Sequence, residues 1–263
     1  MNKLSWPGIL RKVPSDDAPV TGIALPRQSA FLALLLLCAA LAVSVWDHAA
    51  IDMVRNTMTA SDSTKIMYNS FITHIIGFGK GDVQVMIALL LGFCGLKQRA
   101  LAIICALIIV SLLVWPFKII VHRERPRGNS FVSFPSGDAA SAAACAQVLA
   151  AGSPVVAPVA ALVTTMVCAG RVLGLAHYPS DVLAGSAFGI IAGIIGLEIS
   201  KRYTLMLRKR YFLLLLVAYV SINELFCAIV KSHNGLSSFI WMYGSGICVV
   251  IAGRLIYLFT KKC

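Results

Sequence analysis

Eight stretches dominated by aliphatic side chains, separated by short polar segments, organise this sequence: 29–46, 83–96, 100–117, 138–153, 155–170, 181–199, 211–230 and 237–259. A helix crossing a bilayer needs ~20 mostly apolar residues, and most of these runs approach that length. Runs 83–96 and 138–153 are short, so they either extend into flanking segments or sit where the bilayer is thin. The pattern predicts an all-α polytopic membrane helix bundle of about eight spans. Run 181–199 carries Gly185, Gly189 and Gly193 at four-residue spacing, and residues 139–144 are dense in Ala and Ser. Small residues let helix backbones approach closely in lipid, so these two helices are expected to form a packed inner pair. The last two runs lack such a stripe and read as an appended hairpin. The implied organisation is a tail over 1–28, a membrane core over 29–200, and a basic loop with a hairpin over 201–263. The longest connection, 47–82, contains a mixed stretch at 66–78 that fits a helix lying at the interface.

Composition agrees with lipid as the solvent. Of 263 residues 59% are hydrophobic and 13% charged, with mean hydropathy +0.84, whereas soluble domains are about half apolar and a quarter charged. The formal charge of +12 sits at the ends of apolar runs, where it orients helices and meets anionic headgroups, so no nucleic-acid partner is expected. Lys3, Arg11, Lys12 and Arg27 precede the first run. Lys97 and Arg99 follow the second, Lys201, Arg202, Arg208, Lys209 and Arg210 the sixth, and Lys261 and Lys262 the last. With eight spans all four groups share one side, which the positive-inside rule makes cytoplasmic together with both termini. Segments 47–82, 118–137, 171–180 and 231–236 then face outward. Short loops favour a bacterial inner membrane, with the outer face periplasmic. No cleavable signal is expected, because the first apolar run follows a polar, Pro-containing tail. The eight cysteines fall mainly within apolar runs without CxxC spacing and read as small helix residues, not disulfides or zinc ligands.

The chemistry concentrates in two outward segments. One holds Lys118, His122, Arg123, Arg125 and Pro126, then Pro135, Ser136, Gly137 and Asp138; the other holds Arg171, His177 and Asp181. Lys118, Arg125 and Arg171 suit the oxygens of a phosphate, which arginine can grip two at a time. Ser136 and Gly137 open the fourth apolar helix, where backbone N–H groups and the helix dipole favour an anion. His177 is a candidate nucleophile, and Asp181 four residues on can orient its imidazole. No metal or other cofactor is needed for this set.

Lys118-x6-Arg125-Pro126, Pro135-Ser136-Gly137 and Arg171-x5-His177-x3-Asp181 resemble the three signature motifs of the type 2 phosphatidic acid phosphatase (PAP2) superfamily, in order and spacing, over about a quarter of the chain. The resemblance implies a six-helix core, an acid-phosphatase reaction through a phosphohistidine, and a membrane lipid phosphate or diphosphate as substrate. By position, Lys118, Arg125, Arg171, Ser136 and Gly137 bind phosphate, His177 attacks, and Asp181 orients it. Two positions depart from the family. Gly170 replaces a serine before Arg171, a loss of ~1.5–3 kcal/mol at most. Asp138 replaces the histidine that protonates the leaving group. Three readings of Asp138 stand: it is the acid itself, His122 supplies the proton if 118–125 is helical, or the leaving group is acidic enough to need little help. The last favours a diphosphate or sugar-1-phosphate. A phosphotransferase, or an inactive lipid-binding or translocating relative, are the alternatives to a phosphatase.

Plainer readings exist for the same residues. Asp138 and Asp181 both fit first-turn acids that complement a helix dipole. The basic cluster of Arg123, Arg125 and Arg127 fits a headgroup patch, with Arg123 and His122 as accessory site groups. His48, His74 and His233 lack ligand spacing. Asn223 and Glu224 fall within the seventh run, where an acid is a functional candidate by default. Arg254 lies too far toward the cytoplasmic side to pair with Glu224.

Overall fold

The structure is a computed structural model that describes residues 25–59, 75–128, 130–202, 212 and 214–223. The N-terminal tail, most of the 66–78 stretch, the eighth apolar run, His74, Glu224, His233 and Arg254 lie outside the described residues. Every regular element within them is helical. In chain order these are α1 (Leu25–Val43), a 3-10 turn (Ser44–Trp46), α2 (Asp47–Thr59), α3 (Gly81–Phe93), α4 (Lys97–Val121), α5 (Gly137–Ala150), α6 (Val156–Leu173) and α7 (Pro179–Arg202). A shorter apolar helix, α8, spans Leu214–Asn223.

Four helical stretches among the described residues are long and apolar enough to cross a membrane: Arg27–Thr57, Lys97–Val121, Val156–Leu173 and Pro179–Arg202. The first differs from expectation. A loop was expected from residue 47, yet the chain stays helical into α2. No Gly or Pro interrupts 27–59, and Asp47 supplies an acid in the first turn of α2, so nothing local stops the helix.

Helices α4, α5 and α7 form the interior, whereas α1 and α6 turn apolar side chains such as Phe31, Leu34, Leu41, Val159 and Leu162 outward, as helices bathed in lipid do. The expected glycine contact is present. A Cβ on Gly185 would meet the backbone of Ser136, and one on Gly189 would meet Ala140 and Ala143, so α7 lies backbone to backbone on α5. Gly196 rests in the same way on Ala102 and Ala106 of α4. Helix α8 belongs to this interior as well, since Leu216 and Tyr219 share a core cluster with Ala102, Leu107 and Val148. Asn223 donates to Ser111 Oγ at 2.9 Å.

The Gly196 contact joins the end of α7 to the start of α4, so the two helices run antiparallel. Lys97 and Arg99 therefore share one end of the bundle with Lys201 and Arg202. Arg99 also donates to the carbonyl of Ala151, just past α5, at 3.2 Å. The opposite end gathers the end of α4, the start of α5, the end of α6 and the start of α7. Lys118, Arg125, Ser136, Gly137, Asp138, Arg171, His177 and Asp181 all lie there.

Candidate active site

Helix α4 ends at Val121 because His122 adopts a left-handed conformation (φ 45°), and the chain then returns over the bundle end. Lys118, buried in the last turn of α4, ties this return down. Its Nζ donates to the carbonyls of Val132 (2.7 Å) and Pro135 (2.8 Å). An ammonium has three N–H donors, so one remains for a further oxygen.

At the start of α5, Ser136 is the N-cap, its Oγ accepting from Ala139 N at 3.4 Å. Its own N–H donates to the carbonyl of Asp181 at 3.0 Å. This changes the expectation that Ser136 and Gly137 both aim N–H groups at an anion. The first-turn donors without a helical partner are those of Gly137 and Asp138. The Ser136 link instead fixes the start of α5 against the start of α7.

Arg125 and Arg171 come to the same end of the bundle, and the Nε of each is buried without a hydrogen-bond partner among the described residues. Burial, then the Arg171 charge, push the Arg125 guanidinium below its usual value. Like charges held together this way favour an anion between them. Arg171 Nη1 meets Asp138 Oδ2 at 2.9 Å, so the carboxylate at the departing family position occupies a cation assigned to phosphate.

His177 is almost fully buried in the turn before α7. Its Nδ1 lies 2.7 Å from the carbonyl oxygen of Ser133 and 3.7 Å from Asp181 Oδ2. A carbonyl only accepts, so Nδ1 carries the hydrogen and Nε2 keeps its lone pair. Asp181 therefore orients the ring chiefly through Ser133, a change from the direct i,i+4 pairing expected. Burial pushes the imidazole down to about 4, the Asp181 carboxylate opposing and the Arg171, Lys118 and Arg125 charges adding to the fall.

Asp181 is fully buried and accepts from three donors. Oδ2 accepts from Ser133 Oγ at 2.5 Å and from the Tyr178 N–H at 2.9 Å, while Oδ1 accepts from Arg123 at 2.8 Å. Arg123 also donates to Asp47 (2.8 Å) and Ser180 Oγ (2.8 Å), and stacks over Tyr178 at 4.0 Å. Arg123 is thus committed to carboxylates, a correction to its reading as an accessory anion ligand. His122 is corrected too: 122–125 is not helical, and the exposed ring stacks on Phe131 at 5.0 Å.

Asp47, Ser133, Tyr178 and Ser180 of this network escaped sequence reading. Ser133 carries no signal beyond its place two residues before Pro135. Asp47 did carry one: an acid at the end of an apolar run, in a chain with 11 acidic residues, is expensive unless paired.

Comparison with known proteins finds similarity over the part of the chain that builds this site. Residues 99–205 match the sequence profile of the PAP2 superfamily. A curated relative, lipid A 1-phosphatase of Porphyromonas gingivalis, is 37% identical over 82 residues, which are 30% of this chain and 18% of that protein. The chain thus matches less than a fifth of that relative's length. The crystal structure of Aquifex aeolicus LpxE superposes with a TM-score of 0.50 at 26% identity, covering 58% of this chain and 94% of that one.

Proposed function

Since the segment 99–205 belongs to the PAP2 superfamily, we propose that this chain is an integral membrane phosphatase that removes phosphate from a lipid through a phosphohistidine at His177. The observation that carries the reading is the Nδ1 contact of His177 with the Ser133 carbonyl. It leaves Nε2 as the nucleophilic nitrogen of a neutral imidazole, at the same end of the bundle as Lys118, Arg125 and Arg171.

The steps follow from that placement. The three cations take up the nonbridging oxygens of the substrate phosphate, drawing Arg171 from Asp138 toward the anion. Nε2 attacks phosphorus, the P–O bond to the lipid breaks, and positive charge develops on the imidazole. Asp181, 3.7 Å from Nδ1, is placed to stabilise that charge. The leaving oxygen takes a proton from solvent; water then attacks the phosphohistidine, the P–N bond breaks, the water's proton returns to solvent, and inorganic phosphate and the neutral imidazole are released.

Asp138 in place of the family's acid bears on the substrate. A phosphate on the 1 position of a sugar-based lipid departs from an anomeric oxygen, a better leaving group than an alkyl alkoxide. Similarity to a lipid A 1-phosphatase supports that substrate class over phosphatidic acid. The site lies opposite the Lys97, Arg99, Lys201 and Arg202 end. By the positive-inside rule it faces away from the cytoplasm, which in a bacterium is the periplasm.

The test is phosphate release in detergent, with chelator present, from lipid A, an isoprenyl diphosphate, phosphatidylglycerol phosphate and phosphatidic acid, each beside His177→Ala. Release that favours the first two and disappears in the variant supports the reading. Phosphatidic acid as the best substrate contradicts the leaving-group argument.

A further inference from the structure

The proposed mechanism makes no use of Asp47, although it is fully buried at the same end of the bundle. It belongs to α2, outside the segment 99–205 that matches the family. Its Oδ1 accepts the Ser180 N–H at 3.0 Å. Its Oδ2 accepts from Arg123 Nη2 at 2.8 Å and from the Ser180 hydroxyl. The other amino nitrogen of Arg123, Nη1, bonds Asp181 Oδ1 at 2.8 Å. One partly buried guanidinium is therefore divided between two fully buried carboxylates.

That division has a geometric consequence at His177. A guanidinium and a single carboxylate prefer the fork-to-fork arrangement, with both oxygens drawn to the cation. Such pairing would pull Asp181 Oδ2 from Ser133 Oγ and the Tyr178 N–H, its present partners. Ser133 is also the residue whose carbonyl holds Nδ1 of His177. With Nη2 occupied by Asp47, Arg123 reaches Asp181 through Nη1 alone, and Oδ2 stays on the imidazole side.

We propose that Asp47 is a positioning residue for the His177 reaction: by occupying Nη2 of Arg123, it keeps Asp181 singly paired and its second oxygen turned to Ser133 and His177. The inference rests on the phosphohistidine reading above. It makes the first membrane helix part of a site otherwise built from residues 118–181, and gives a reason for a buried acid there.

The experiment is a double-mutant cycle on the purified full chain in detergent, with folding checked by gel filtration and thermal midpoint. Asp47→Asn keeps the shape and an acceptor oxygen for Ser180 but removes the charge. Its kcat is expected to fall on the order of 10- to 100-fold, as for a misplaced catalytic group, with KM within about twofold. In an Asp181→Asn background the same change is expected to cost less than about twofold, because the group it acts through is gone. Wild-type kcat in folded Asp47→Asn, or its full penalty repeated on Asp181→Asn, overturns the proposal. Should Asp47→Asn not fold, Ser180→Ala, which loosens the tie between Asp47 and Arg123, goes through the same cycle with the same criteria. His177→Ala run in parallel separates the two claims. An active His177→Ala ends the phosphohistidine reading; an inactive one beside a wild-type-like Asp47→Asn ends only the role of Asp47.

Discussion

Ser133 holds both members of the histidine–aspartate pair at once: its carbonyl accepts from Nδ1 of His177 at 2.7 Å, and its hydroxyl donates to Asp181 at 2.5 Å. The backbone contact sets the tautomer and the side-chain contact sets the carboxylate. These two functions separate under mutation, because Ser133→Ala keeps the first and loses the second. A hydrogen bond to a charged group contributes ~1.5–3 kcal/mol, so kcat of Ser133→Ala is expected to fall roughly 10- to 150-fold with KM nearly unchanged. Steady-state kinetics on folded protein check this; an unaltered kcat would show that Asp181 needs no such tie.

The burial of His177 gives the protein a pH dependence with a defined sign. Its folded value of about 4 lies below the ordinary 6.5, so as pH falls the unfolded chain takes up the proton first. The stability contribution is complete above 6.5 and is lost progressively between 6.5 and about 4. Thermal midpoints in detergent across that window should decline more steeply for the wild type than for His177→Gln, whose side chain does not titrate. Equal slopes would mean that the ring is not desolvated.

Much of this arrangement was legible in the sequence, and the boundary has a physical reason. Lys118, Arg125, Ser136, Arg171, His177 and Asp181 could be grouped because their order and spacing resemble three signature motifs, and the Gly185–Gly189–Gly193 spacing announced the contact of α7 with α5. What stayed hidden depended on local backbone turns and long-range pairing. The left-handed residue His122 ends α4 early and removes His122 and Arg123 from the helix that would have aimed them at phosphate. Asp47 meets Ser180 across 133 positions, a distance over which no periodicity carries information. Ser136 looked like an anion donor because its N–H heads a helix, but the carbonyl of Asp181 had already taken it.

Asp138 is expected to behave as an internal competitor for Arg171, which it meets at 2.9 Å. Replacing it with Asn removes that competition, so inorganic phosphate should inhibit Asp138→Asn at lower concentration than it inhibits the wild type. Substrates graded by leaving-group acidity address the other possible role. If Asp138 donates the proton, the variant loses most activity on alkyl phosphates and little on p-nitrophenyl phosphate; uniform effects leave it as the counter-anion alone.

The glycine contacts of α7 make a stability prediction independent of catalysis. A Cβ at Gly185 or Gly189 would meet the backbone of Ser136 or Ala140, which cannot yield as a flexible side chain does. Gly185→Ala and Gly189→Ala should each cost at least the ~1–3 kcal/mol typical of overpacking, read as a lower thermal midpoint. Gly77→Ala, where nothing lies within 4 Å of the added Cβ, should leave it unchanged.

The central claim is that Nε2 of His177 takes the phosphoryl group, and trapping the phosphoenzyme tests it most directly. Wild-type protein mixed briefly with a substrate carrying labelled phosphate, quenched in alkali and digested, should yield an alkali-stable, acid-labile label on the peptide containing His177. Label on a different residue, or undiminished turnover by His177→Ala, would contradict it.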